Sequence, residues 1–311
     1  MSFNYFILLT QDFLPWNTSL GLVLTSIVFL LMYIPTSIII WPHIFGYISK
    51  LLMSFLLIIT IMSSFSFVIT KTILNNNTIA HLLSTTQVLD AVVLFITFSI
   101  IMKNWGFDLP SYKLAHKTSP RILIALFVIC VYFLFKNSFG AGSNYFKTFY
   151  MFDFSGIHIT LKYIFSGLEA GIAEETIFRY VFLTFLLMYF KNFKYKIFYS
   201  ALINSTVFSL IHLLNLTSGQ DIQNTLIQAL GAFGIGMLFS AIYLYTGLFI
   251  WPVIMHSLID ILSFSQQGMI MSGKVTIDYV LGMILLVLFY LAVSLYLLKE
   301  TRIREQNLWF N

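Results

Sequence analysis

Charge is the scarcest feature of this 311-residue chain, with only 9% of residues Asp, Glu, Lys or Arg, against about 25% in an ordinary soluble domain. So small an inventory cannot clothe a globule in a water-compatible surface. Cysteine is nearly absent too. The single one, Cys130, lies in an apolar run, so neither an intrachain disulfide nor a thiolate metal cluster can form, and the side chain is expected to pack against lipid or a helix. Tandem repeats, Gly/Ser linkers and low-complexity tracts are missing. The longest polar connections, near 103–121 and 137–156, are too short for a separate soluble domain. Met1 to Trp16 lacks the basic region, short apolar core and small-residue cleavage site of a removable signal peptide. The first spanning helix is therefore expected to direct insertion.

What is abundant is apolar sequence, 59% of the chain. It comes in uncharged blocks of about 17 to 25 residues, the length a helix needs to cross about 30 Å of hydrocarbon at 1.5 Å per residue. The blocks lie near 18–41, 51–70, 82–102, 120–136, 163–190, 197–216, 225–245, 248–264 and 276–298. They predict an all-α, polytopic transmembrane bundle of about eight or nine helices whose solvent is the lipid bilayer. The block 248–264 is the weakest, being short, opened by Gly247 and Pro252 and carrying His256 and Asp260; it reads as a full crossing or as a buried, tilted segment. Asn137 to Gly156, rich in Phe, Tyr and Gly, reads as an interfacial loop.

A net charge of +5 would suggest nucleic acid as partner in a soluble protein, but here the basic residues fall mostly in short loops and set orientation. No nucleic-acid partner is expected. If all nine blocks cross, Lys50, the cluster Lys103 to Arg121, the loop Lys191 to Lys196 and the tail Lys299 to Arg304 share one side. The opposite loops hold Lys71, Lys136, Lys147 and Lys274, offset by Asp153, Asp221 and Asp278. The positive-inside rule then puts the C-terminus in the cytoplasm and the N-terminus outside.

Ionisable groups at membrane depth cost a few kcal/mol each on insertion scales and mark function when retained. They cluster in three places: Glu174, Glu175 and Arg179; Phe208 and His212; and His256 and Asp260. Glu175 and Arg179, four apart, share a helical face and can pair, while Glu174 points about 100° away and is free to act. His256 and Asp260 are also four apart, so the carboxylate is expected to hold the imidazole by a hydrogen bond. Phe208, one turn from His212, would shield it from lipid. Glu174 precedes Lys191 by 17 residues and His212 follows Lys196 by 16, which puts both about 25 Å from the same basic loop. A carboxylate and an imidazole at one level can polarise a water for amide hydrolysis. Asp90 and Glu169 are also at membrane depth, but no motif supports a role for either; they read as packing or interfacial carboxylates.

The series Glu174-Glu175-x-x-x-Arg179, Phe208-x-x-x-His212 and His256-x-x-x-Asp260 resembles the CPBP family of CAAX prenyl proteases and bacteriocin-processing or immunity proteins, also called Abi. The motifs span about 90 residues. The resemblance implies an intramembrane endopeptidase in which Glu174 and His212 activate a water. Glu175 and Arg179 would support them, and His256 and Asp260 would stabilise the oxyanion; many members have Asn at the last position, so Asp260 adds a negative charge. It further implies a membrane-associated peptide or protein substrate in a bacterial cell membrane. Members are often labelled metalloproteases, and Glu, His and His are a possible zinc set. HExxH is absent, which favours a glutamate-activated water and no cofactor. The chain divides on this reading into helices without a motif at 1–160, catalytic helices at 161–265, and a last helix with a basic tail at 266–311. The alternative is a non-catalytic immunity or scaffold protein that binds a peptide or signalling partner. Oligomeric state has no signature.

Overall fold

The computed structural model describes residues 1–63, 77–115 and 118–303. Part of the block expected at 51–70, and Lys71, Lys117 and Arg304, lie outside them. The architecture is all-helical. The only β pairing among the described residues is an isolated bridge between Gly140 and Phe152. In chain order the helices are α1 (Phe3–Thr10), α2 (Ser19–Ile39), α3 (Tyr47–Met62), α4 (Thr78–Thr86), α5 (Val88–Asn104), α6 (Pro120–Phe139) and α7 (Leu161–Glu175). A π-helical segment, Thr176–Phe182, joins α7 to α8 (Leu183–Tyr189). Then follow α9 (Lys196–Ile211), α10 (Ile222–Thr246), α11 (Ile250–Gln267) and α12 (Ile277–Ile303).

Each expected apolar block meets a helix, and five are long and apolar enough to cross a bilayer: Ser19–His43, Pro120–Phe139, Lys196–Ser218, Ile222–Thr246 and Ile277–Thr301. Thr78–Thr86 and Val88–Asn104, meeting at 54°, make a sixth if they are one bent span. Gln87 makes that bend in the left-handed region at φ 56°, unusual for a residue with a Cβ. Leu20, Ile39, Ile124 and Phe127 point outward, between 63% and 70% exposed. Such apolar faces suit lipid and not water. The chain is an integral membrane protein.

Two compact units are present: Met1–Leu109 with Thr160–Ile177, and Pro110–Ile159 with Phe178–Asn311. In the first, α5 packs against α2 and α7. The Asp90 carboxylate, fully buried at the start of α5, accepts a hydrogen bond from the Phe3 amide (2.9 Å) and so fastens α1. This ties Asp90 to packing, as its lack of a motif suggests. The buried face of α7 is small: Ser166, Gly167, Ala170, Gly171 and Ala173. Small faces let helices approach closely where no water drives them together.

The second unit is built round α10, flanked by α9 and α12. Gly234 and Gly236 permit the close approach: a Cβ on Gly234 would stand 3.1 Å from Tyr290 and Val287, and one on Gly236 would stand 3.1 Å from the Phe208 ring. Polar bonds join α9 to α10, a buried one from Asn204 to the Ser240 hydroxyl (3.1 Å) and a partly buried one from the Ser209 hydroxyl to the Ala229 carbonyl (2.7 Å). Helix α6 packs along α11.

Two expectations change here. Lys136 is not a loop residue: it lies inside α6 and is buried, because α6 runs a turn beyond the apolar block that predicted it. The connection 137–156 is folded and not merely interfacial. Ala141 and Asp153 amides bond the Met151 and Phe139 carbonyls (both 2.9 Å), Tyr145–Phe149 forms a 3-10 turn, and Gln266 holds the Asp153 carbonyl (3.1 Å).

Candidate active site

Helix α7 starts at Thr160, whose hydroxyl accepts from the Tyr163 amide (3.3 Å), and ends in the two adjacent carboxylates. Glu174 is half-buried and Glu175 is fully buried. Directly after them the backbone widens to the π form, an irregularity frequent at functional sites. Arg179 lies in the wide turns and is fully buried. The 3.6-residue spacing that suggested a shared face for Glu175 and Arg179 therefore ends at Glu175. Glu174 and Glu175 belong to the first unit and Arg179 to the second.

Within the second unit, one ring organises the remaining motif residues. Phe208 is buried. The Arg179 guanidinium carbon stands 4.6 Å from its centroid, close enough for a cation–π contact. The His212 ring meets Phe208 edge-on at 4.8 Å and the His256 ring at 6.1 Å. Phe239 closes the other side, 6.0 Å from His256 and 5.8 Å from Arg179. Arginine, both histidines and two aromatic rings thus form one cluster from four segments of chain.

His212 sits where α9 passes into a 3-10 turn, and its Nδ1 lies 2.9 Å from the Phe208 carbonyl. A carbonyl only accepts, so Nδ1 carries the hydrogen and, in the neutral ring, Nε2 keeps the lone pair. His256 Nε2 and Asp260 Oδ2 are 3.6 Å apart. That is an ion-pair distance, which seats the Asp260 carboxylate beside the imidazole as the four-residue spacing suggests.

A cavity of about 600 Å³ opens onto these groups. Phe208, His212, Phe239, His256 and Asp260 line it together with Lys136 and Tyr145. The volume falls within the range of about 300–1,000 Å³ typical of ligand pockets.

Residues 156–262 match the family model described as type II CAAX prenyl endopeptidase Rce1-like. Through this segment, about a third of the chain, the protein is similar to the CPBP family of intramembrane proteases. No curated protein and no solved structure matches the chain. The CPBP segment holds all three motifs, and its edges fall just before α7 and within α11.

Phe239 was missed by the sequence reading, since an aromatic within an apolar helix carries no distinguishing signal; Lys136 was taken for a loop cation. Both line the cavity, Lys136 from outside the matched segment. Among the described residues no group of three or more His, Cys, Asp or Glu side chains is gathered as a metal ion would need.

Proposed function

We propose that the CPBP segment hydrolyses a peptide bond of a membrane-associated peptide or protein, with Glu174 and His212 activating the water. The observation that carries this reading is His212: its Nδ1 is pinned by the Phe208 carbonyl, and it borders a substrate-sized cavity beside His256 and Asp260. The water gives a proton to the Glu174–His212 pair as its oxygen attacks the carbonyl. The same pair returns a proton to the departing amine when the C–N bond breaks. The carbonyl oxygen becomes an anion, which a His256 N–H stabilises. Asp260 orients the imidazole, and Glu175 and Arg179 support the site.

The name of the matched family points to a prenylated protein C-terminus as substrate class; a bacteriocin or pheromone precursor or a regulator's membrane anchor fits the same chemistry. We further propose a bacterial cell membrane, eight or nine crossings, a cytoplasmic C-terminus, and the division into 1–160, catalytic 161–265 and terminal 266–311. With Lys136 removed from the loops, the charge asymmetry behind that orientation is larger. Replacing Glu174 by Gln tests the reading: substrate cleavage is lost while the protein stays at its normal level in the membrane. Unaltered cleavage would sink it. If no membrane peptide depends on the intact chain, a non-catalytic immunity or scaffold role takes its place.

A further inference from the structure

Gln228, on α10, lines the cavity, and the hydrolysis described above gives it no part. Its side-chain oxygen is engaged. It accepts from the Asn215 side-chain nitrogen (2.9 Å) and from that of Gln220 (2.7 Å), which uses both lone pairs of a carbonyl oxygen. The backbone decides which end of each side-chain amide is oxygen. The Met271 N–H can only donate, and it bonds Gln220 Oε1 at 3.2 Å. Gln220 therefore turns its nitrogen to Gln228, and Gln228 meets it with oxygen. That leaves Gln228 Nε2, with two N–H donors. Among the described residues it has no hydrogen-bond partner.

The fold does not need that nitrogen. Gln220 is buried, and the bonds through it, with the one from Asn224 to the Gly273 carbonyl (2.9 Å), tie the turn 212–218 and the connection after α11 to α10. Wherever the Gln228 side chain takes part, it does so through oxygen. Gln228 and Met271 line the cavity and Asn215 and Gln220 do not. The oxygen is thus held by residues behind the wall, and Nε2 is the polar end left for an occupant. A donor oriented in advance loses little freedom on binding.

The turn between them gives the separation from His212. His212 and Asn215 are three apart in the 3-10 turn His212–Ser218, where side chains three apart eclipse and each residue rises ~2.0 Å. Asn215 therefore stands ~6 Å along the turn from His212 and bonds directly to the Gln228 amide. Extended peptide advances ~3.3 Å per residue, so this is about two residues of substrate. A neutral N–H donor suits a neutral acceptor, and the acceptor that a peptide repeats at every residue is its main-chain carbonyl.

We propose that Gln228 is a substrate-binding residue whose Nε2 donates to a main-chain carbonyl about two residues from the bond that is cut, and so sets the register of the peptide before His212. This rests on the hydrolytic reading above, but its test does not need turnover. Full-length protein carrying Glu174→Gln, in phosphatidylcholine nanodiscs, is titrated with a fluorescein-labelled apolar hexapeptide amide and with analogues that each have one main-chain amide replaced by a trans-alkene. The all-amide peptide is expected to bind about fivefold tighter than it does when Gln228→Met is added. One alkene position should erase that advantage and the others keep it; equal binding of that analogue by both proteins also shows that the variant is folded. Gln228→Glu keeps an oxygen for Asn215 and Gln220 but puts an acceptor where the donor was, and is expected to bind the all-amide peptide no better than the Met variant. Undiminished affinity in either variant overturns the proposal, and so does an advantage that survives every alkene. The full pattern without turnover by the Glu174 protein leaves Gln228 as a peptide-binding residue and removes the peptidase. Turnover without the pattern does the reverse.

Discussion

Phe208 touches Arg179, His212 and His256 through a single ring, so its replacement separates packing from chemistry. Phe208→Leu keeps most of the volume and is expected to leave expression near normal while lowering kcat about tenfold, because all three neighbours lose their reference surface. Phe208→Ala opens a hole in the buried cluster and is expected to cost about 3–5 kcal/mol of stability, read as loss of folded protein after detergent extraction. His212→Gln keeps a polar side chain but removes the base. A kcat lowered about 10²- to 10⁴-fold with KM little changed is the expectation for a general base, and a change confined to KM would place His212 in binding instead. Asp260 differs in kind. Since it stands 3.6 Å from His256, Asp260→Asn is expected to retain activity within about tenfold and Asp260→Ala to lose more, because the amide still fills the space beside the imidazole.

At the scale of elements, the seating of α9 on α10 depends on Gly236. A Cβ there would press 3.1 Å from the Phe208 ring and 3.3 Å from Ser205, so Gly236→Ala is expected to cost about 1–3 kcal/mol as overpacking and to lower activity through Phe208. A melting temperature and a kcat both equal to those of the parent would contradict this packing account. Helix α10 also carries a pH-sensitive start. Asp221 caps it, and bonds from the Asn224 side chain (2.6 Å) and amide (3.0 Å) hold its carboxyl below the ordinary aspartate value. A depressed folded value means the contribution is full above the ordinary aspartate pKa and is lost as pH falls through the lowered one. The melting-temperature gap between the parent and Asp221→Asn should therefore close in acid. These helices were legible in the sequence because an uncharged run of spanning length has few other fates in lipid. The π turn at Thr176–Phe182 was not, since its residues are as apolar and helix-compatible as their neighbours. Nor was the fold of 137–156, which rests on bonds to Gln266 and Asp278 far away in sequence.

For the whole molecule, the three motifs could be read because ionisable residues are so rare that each one retained stands out. Their partners could not, because Phe239 and Lys136 resemble many other aromatic and basic residues until the fold places them on one cavity. The proposed orientation predicts that a cysteine introduced at Lys194 is labelled by a membrane-impermeant maleimide only after cells are opened; labelling of intact cells would reverse the topology. The central claim, a peptidase whose water is activated by Glu174 and His212, is tested most directly by comparing membrane peptides in cells carrying the parent protein and the Glu174→Gln variant at equal membrane levels. Accumulation of an uncleaved peptide in the variant, together with loss of its fragment, is the predicted result. An identical peptide pattern in the two would contradict it.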